Sequence, residues 1–223
     1  MNKENEIEFQ YLYWGPLVTK FKLEDNFCKE LLDRGRKCEE DARDILAGIL
    51  DREFLYTQED IDWFCEKFSP YLNKHMNFLN HYHNRLFDVK LDLDKLWINF
   101  MQKQDSNPMH IHSGNITFVI YLKIPEKLKK ENKKYIGTDQ GGPGSIKFFN
   151  NLINDEQNIS THSIFPEENT VWIFPASLNH MVVPFKTKDE RISVSGNFIF
   201  IENDTTRPNN KHIIKRRPTL NGL

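Results

Sequence analysis

The chain has 223 residues, of which 30 are basic and 32 acidic, giving a formal net charge of −2. That balance supplies no global field toward nucleic acid or an anionic membrane, and no apolar run approaches the roughly 18 residues a bilayer span needs. With 17 Phe, 7 Tyr and 4 Trp, the chain suits a packed globule rather than a disordered one, and its length suits one domain.

The first ten residues, MNKENEIEFQ, are polar and hold no apolar signal core, so the expected location is the cytoplasm. Ile7 to Lys22 alternates apolar and polar residues around Gly15-Pro16 and reads as an opening strand or two. A helix starts near Glu24, with Phe27, Leu31 and Leu32 at helical spacing and Cys28 on the same side. Ala42 to Leu50 reads as a short helix or helical turn. Thr57-Gln58-Glu59-Asp60 is a candidate capping box. It opens a second long helix whose apolar stripe runs Ile61, Phe64, Cys65, Phe68, Leu72, Met76 and Leu79, with Pro70 a candidate kink. Cys28, Cys38 and Cys65 are odd in number and widely spaced, which predicts reduced thiols and a reducing compartment.

After Leu86 the apolar period changes from 3.6 to 2. Strands are predicted at Lys95 to Lys103, Ile116 to Lys123, Ser145 to Asn150, Thr170 to Phe174, His180 to Phe185 and Arg191 to Glu202. Their succession without helical crossovers implies an antiparallel sandwich or barrel with the helices on one face. Two connections, Pro125 to Gly144 and Asn151 to Asn169, are long for such a domain and are candidate lids. The first begins in a lysine-rich stretch (Lys123, Lys127, Lys129, Lys130, Lys133, Lys134). Lys211, Lys215, Arg216 and Arg217 make the C-terminus basic too; both clusters read first as solvated.

Three of the eight histidines stand where a β-domain would bring them to one point. His110 and His112 are two apart, so on an extended segment both side chains face the same way. His180 opens a late strand after Phe174-Pro175 and a run of turn formers. Three neutral imidazoles suit Fe(II), Zn(II), Ni(II) or Cu(II), and the spacing alone does not choose among them. The strand from Arg191 places Arg191, Ser193, Ser195 and Asn197 on one face and Ile192, Val194 and Phe198 on the other. A polar face this late in a β-domain meets either water or a charged ligand, and a fixed guanidinium with a nearby hydroxyl suits a carboxylate. His162 in a long loop reads as exposed. His81 and His83 point roughly 200 degrees apart on a helix and cannot chelate together.

The string His110-x-His112, then Val119-Ile120-Tyr121-Leu122, Gly144 to Phe148, Phe174-Pro175 leading to His180, and Arg191-x-Ser193 resembles the 2-oxoglutarate/Fe(II) oxygenases. It looks most like their short, often phage-borne or marine bacterial members related to prolyl hydroxylases. The resemblance covers roughly Trp97 to Ile201, and its specific part is a histidine followed eleven positions later by Arg in R-x-S. It implies a mainly β, α+β fold, a double-stranded β-helix or jelly-roll with N-terminal helices packed on one face. The expected layout is one oxygenase domain over 1–202, with strand and helical support to 90 and the β-helix core over 91–202, then a basic tail over 203–223.

The resemblance further implies a hydroxylase using Fe(II), 2-oxoglutarate and O2, with ascorbate as a supporting reductant. Its substrate would be an amino-acid side chain of a protein or peptide, or a small molecule, with prolyl hydroxylation first, and it leaves room for a homodimer. His110 and His180 would be iron ligands and Arg191 would pair with the far carboxylate of 2-oxoglutarate, assisted by Tyr121 and Ser193. Asn99, beside Trp97, is a candidate for the same cavity. The departure is His112, where the family's common triad has Asp or Glu; as the third ligand it would leave the site more positive. Two other readings remain at this stage: a cupin-like metal-binding barrel, isomerase or binding module, without 2-oxoglutarate, and a non-catalytic relic. The first would usually place a Glu shortly after H-x-H, and none occurs from Ser113 to Lys123.

Overall fold

In the second half of the chain alternate residues must serve two different cores, and that requirement builds the architecture. The computed structural model describes residues 15–137, 141–150 and 161–202. Its strands, all antiparallel, are β1 (Thr19–Lys22), β2 (Glu40–Asp41), β3 (Glu53–Leu55), β4 (Val89–Met101), β5 (Asn107–His110), β6 (Ile116–Lys123), β7 (Ile146–Phe149), β8 (Thr161–Ile164), β9 (Thr170–Pro175), β10 (Asn179–Val182) and β11 (Arg191–Glu202). They form a seven-stranded sheet ordered β1-β9-β6-β11-β4-β3-β2 and a four-stranded sheet ordered β5-β10-β7-β8. The two sheets and three helices make the double-stranded β-helix with its helical support.

Helix α1 (Asp25–Gly35) and helix α2 (Gln58–His83) cover the outer face of the large sheet. Ile98, Ile120, Ile173, Ile192 and Val194, each fully buried, pack there with Leu31, Phe64 and Phe68 of the helices. Phe64 stacks on Phe68 at 4.8 Å and on Phe118 at 5.3 Å. The opposite parity of the same strands, Met101, Val119, Tyr121 and Phe174, turns inward to a second core shared with Ile146, Phe148 and Val182 of the small sheet.

The capping box forms as its sequence suggests: Asp60 N–H donates to Thr57 Oγ1 and Thr57 N–H to Asp60 Oδ2. Helix α2 runs unbroken through Pro70. Proline there removes the N–H that would meet the Glu66 carbonyl, and the Ser69 hydroxyl donates to that carbonyl instead, at 3.0 Å.

Of the two expectations for Ala42 to Leu50, no helix forms: the segment is turns and bends, with Ile45 N–H closing one turn onto Ala42 O. Its backbone is committed to neighbouring strands, Ala42 N–H to Glu53 O and Ile49 N–H to Ser106 O. The Pro125 to Gly144 connection is partly ordered as helix α3 (Glu126–Lys133), which buries Leu128. The Asn151 to Asn169 connection contains β8; its residues 151–160, like the basic tail, lie outside the described residues.

Candidate functional site

His110 and His180 face each other across the β5–β10 pairing. Two residues of β5 lie between Asn107 and His110, while one residue of β10 lies between their partners Val182 and His180. That bulge re-aims side chains, and both Asn107 and His110 line the central cavity. His112 lies just past β5, its N–H donating to Ala176 O, and Gly114, with φ +90°, turns the chain back into β6. A side chain at Gly114 would strike the Phe198 carbonyl at 2.8 Å.

The three imidazoles converge. Their candidate ligand nitrogens all lie within 4.8 Å of one another, and His112 Nε2 is 3.2 Å from His180 Nε2. Nitrogens each about 2.1 Å from one ion stand roughly 3–4 Å apart, so this donor set fits a single metal with small adjustment. His110 Nδ1 is 2.7 Å from the Pro108 carbonyl and His180 Nδ1 is 2.9 Å from the Leu178 carbonyl. The same brace to the carbonyl two residues back, used twice, assigns the proton to Nδ1 and leaves Nε2 free for a metal.

Burial drives all three imidazoles toward the neutral, ligand-competent form. It lowers His112 to about 3, aided by His180 and His110, and His180 to about 4, aided by His110; His110 is lowered as well.

The floor of the cavity is the inward face of β4, β11 and β6. Register sets it out in rows: Arg191 opposite Met101, Ser193 between Asn99 and Tyr121, Ser195 between Trp97 and Val119. Arg191 is 2 % exposed, its guanidinium lies 5.0 Å from the Tyr121 ring centre, and its Nη1 touches Met101 Sδ at 3.9 Å. Its Nε and Nη2 have no hydrogen-bond partner, nor has the buried Tyr121 hydroxyl. Burial lowers the Arg191 pKa and raises Tyr121 to about 12, the latter despite the pull of the guanidinium. A buried cation with open donors is costly unless an anion completes it.

The structure therefore gathers His110, His112, His180, Arg191, Tyr121, Ser193 and Asn99 around one cavity of about 190 Å³. It leaves the other described histidines outside: His162 is exposed on β8, His81 and His83 are exposed on α2, and buried His75 hydrogen-bonds Thr19 Oγ1 at 2.8 Å. Among the cavity residues that escaped the sequence reading are Asn107 and Glu53. Both sit on strands too short to show a period, and the alternation in Arg52-Glu53-Phe54 was the only local signal for the latter.

Between two facing antiparallel sheets, a cluster of imidazoles that could hold one metal ion thus shares a cavity with a buried arginine whose Nε and Nη2 are open. Residues 95–197, the cavity-bearing part of the β core, match the family model described as "Putative 2OG-Fe(II) oxygenase". No curated protein sequence matches the chain.

Among solved structures the fold is similar to a prolyl-4-hydroxylase of Pseudomonas putida, at TM-score 0.54 and 12% identity over 83% of this chain and 92% of that one. It is also similar to HygX of Streptomyces hygroscopicus crystallised with nickel and 2-oxoglutarate, at 0.53 and 10% over 82% of each. A prolyl hydroxylase of Trichoplax adhaerens, in complex with a peptide fragment of hypoxia inducible factor, matches at 0.50 and 13% over 84% of each. Residues 95–197, just under half of the chain, are thus similar to the 2-oxoglutarate/Fe(II) oxygenases, and the described residues share the fold of these solved structures.

Proposed function

We propose that this protein hydroxylates an amino-acid side chain of a peptide or protein, with prolyl hydroxylation the first reaction to test. In this reading His110, His112 and His180 hold Fe(II), and Arg191 holds the far carboxylate of 2-oxoglutarate with help from Tyr121 and Ser193, Asn99 lying beside them. The observation that carries it is Arg191: a guanidinium 2 % exposed, with Nε and Nη2 unpartnered, on the wall that the imidazoles also line. A metal-binding barrel without a 2-oxo acid has no use for that arginine.

Bound together, the iron, 2-oxoglutarate and O2 supply the oxidising power for C–H hydroxylation, with succinate and CO2 as co-products. The chain's own residues orient and insulate. The two carbonyl braces hold His110 and His180 in one tautomer, and Arg191 and Tyr121 offer three donor atoms that a carboxylate would satisfy. Met101, Val119 and Phe174 wall the cavity with apolar surface, which excludes water and strengthens each polar contact inside. The third ligand is neutral where a carboxylate is common, so the metal keeps more positive charge and draws a dianionic co-substrate more strongly.

A peptide substrate is favoured by the exposed apolar side chains around the cavity. Ile45 and Ile111 line it at 49 % and 55 % exposure, while Ile49 and Met109, adjoining them in sequence, are 67 % and 60 % exposed. Such a patch on a soluble surface marks an interaction site. The reading also takes 1–202 as one oxygenase domain and the reducing cytoplasm as its setting, in keeping with free Cys28, Cys38 and Cys65. No described helix is long and apolar enough to cross a membrane.

The test is succinate release in air with Fe(II), 2-oxoglutarate and ascorbate, comparing a proline-containing peptide panel with free amino acids and small metabolites. Peptide-stimulated succinate with a matching gain of one oxygen in peptide mass supports the reading; stimulation by metabolites alone contradicts the peptide class.

A further inference from the structure

The cavity wall away from Arg191 carries the opposite polarity. Glu53 on β3 lines it, is 1 % exposed, and has no hydrogen-bond partner for Oε2. Register places Glu53 opposite Asn99, Asn99 opposite Ser193 and Ser193 opposite Tyr121. Glu53 thus sits in the row that carries Tyr121, three strand spacings or about 14 Å away. Asn99, Asn107 and Asn197 also line the cavity, each with a buried, unpartnered Oδ1. A carboxamide can turn either its oxygen or its nitrogen inward, so Glu53 sets the sign of this end.

Among the described residues no cation forms an ion pair with it. The charges that act on Glu53 are Asp105 and Asp41, opposed by Arg43, and the Arg43 guanidinium is already engaged by the Asp41 carboxylate. Burial first, then those two carboxylates, push Glu53 up to about 7. Lys95, also on the cavity wall, is four residues along β4 from Asn99, about 13 Å of strand. Gly48 lets the 42–50 turn close onto the carboxyl, since a Cβ there would stand 2.5 Å from Oε1. The result is a shielded carboxyl with one open acceptor atom on a cavity wall, among acceptors and short of donors.

We propose that Glu53 is a specificity-determining residue that seats a positively charged amine or guanidinium of the substrate, with Asn99 and Asn197 as supporting acceptors. The proposal rests on the oxygenase reading for the place of 2-oxoglutarate, which occupies the Arg191 end and leaves the Glu53 end to the substrate. A cation there completes the Oε2 atom and relieves the repulsion from Asp105 and Asp41.

The test uses the full chain with Fe(II) and 2-oxoglutarate under anaerobic conditions. Butylammonium and methylguanidinium are compared with the neutral 1-butanol and N-methylurea by ligand-observed NMR titration. The cations are expected to bind at least tenfold tighter than the neutral probes. Glu53→Gln should shrink that preference to within twofold, leave 2-oxoglutarate affinity unchanged, and hold or raise the melting temperature, because a buried unpartnered carboxyl has been removed. Equal or unmeasurable binding of the cations to the wild-type chain, with 2-oxoglutarate binding normally, overturns the proposal. So does a preference that survives Glu53→Gln, or a fall in melting temperature without loss of preference, which marks a structural role. The comparison in the wild-type chain holds even if the variant fails to fold. Failure of 2-oxoglutarate itself to bind would instead count against the oxygenase reading.

Discussion

Replacing Arg191 by Met should separate co-substrate binding from folding. Without ligand, the guanidinium is a buried charge whose Nε and Nη2 have no partner and whose Nη1 meets only Met101 Sδ. Arg191→Met keeps much of the volume and removes that unsatisfied charge, so the ligand-free variant should be at least as stable as the wild type. Binding should suffer severely. Truncating one partner of a buried, hydrogen-bonded charge pair costs about 2–5 kcal/mol, roughly 30-fold to several thousandfold in affinity. At a hundredfold excess over Kd a ligand stabilises the folded state by about 2.7 kcal/mol, and in a chain of this size each kcal/mol moves the melting temperature by about 2–4 °C. The same concentration of 2-oxoglutarate should therefore raise the wild-type melting temperature by about 5–10 °C and that of Arg191→Met by about 3 °C at most, read by calorimetry with metal present and O2 absent. A variant that keeps the full shift would refute the placement of the carboxylate at Arg191.

Tyr121→Phe removes a buried hydroxyl without a partner, so it should leave stability unchanged or higher while weakening 2-oxoglutarate about 10- to 100-fold, the loss of one hydrogen bond to a charged group. His180→Ala should abolish Fe(II) binding in a metal titration, whereas His112→Asp should retain it and bind tighter, since an anionic ligand returns to the site; loss of iron in His112→Asp would argue that His112 is no ligand. His75 carries a pH prediction: burial lowers it from 6.5 to about 4. Below the unfolded value the unfolded chain takes up a proton that the folded one refuses, so stability is full above about 6.5 and falls by about 3 kcal/mol as pH drops to about 4. Urea titrations should show this slope, and His75→Leu should reduce it by that amount, leaving the part due to the buried His110, His112 and His180. Phe64→Ala, which empties the stack with Phe68 and Phe118, should cost about 3–5 kcal/mol by the same assay.

What the sequence disclosed depended on how long each pattern ran. The stripe from Ile61 to Leu79 and the twelve-residue β11 carry enough periods to define a face, and Thr57 and Asp60 form the box their spacing suggests. The parity that put Arg191, Ser193, Ser195 and Asn197 together is the parity of the cavity wall. Short elements gave no such warning. β3 and β5 have three and four residues, and their pairing partners, not their own sequences, make them strands. Ala42 to Leu50 reads as a short helix or helical turn, yet the N–H groups of Ala42 and Ile49 go to Glu53 and Ser106. His112 was the hardest position to assign, since H-x-H parity holds only on extended backbone and His112 lies beyond the end of β5. Its convergence on His180 depends on the turn at Gly114 and on the bond to Ala176.

The most direct test of the central claim is an anaerobic titration of the full chain with Fe(II) and then 2-oxoglutarate, followed by visible absorption. A chelated 2-oxo acid on Fe(II) gives a weak metal-to-ligand charge-transfer band. The account predicts that this band appears and saturates at one equivalent of iron, that it is missing in His180→Ala, and that Arg191→Met needs at least about 30-fold more 2-oxoglutarate to reach it. No band in the wild-type chain with iron bound, together with no succinate formed in air, would contradict it.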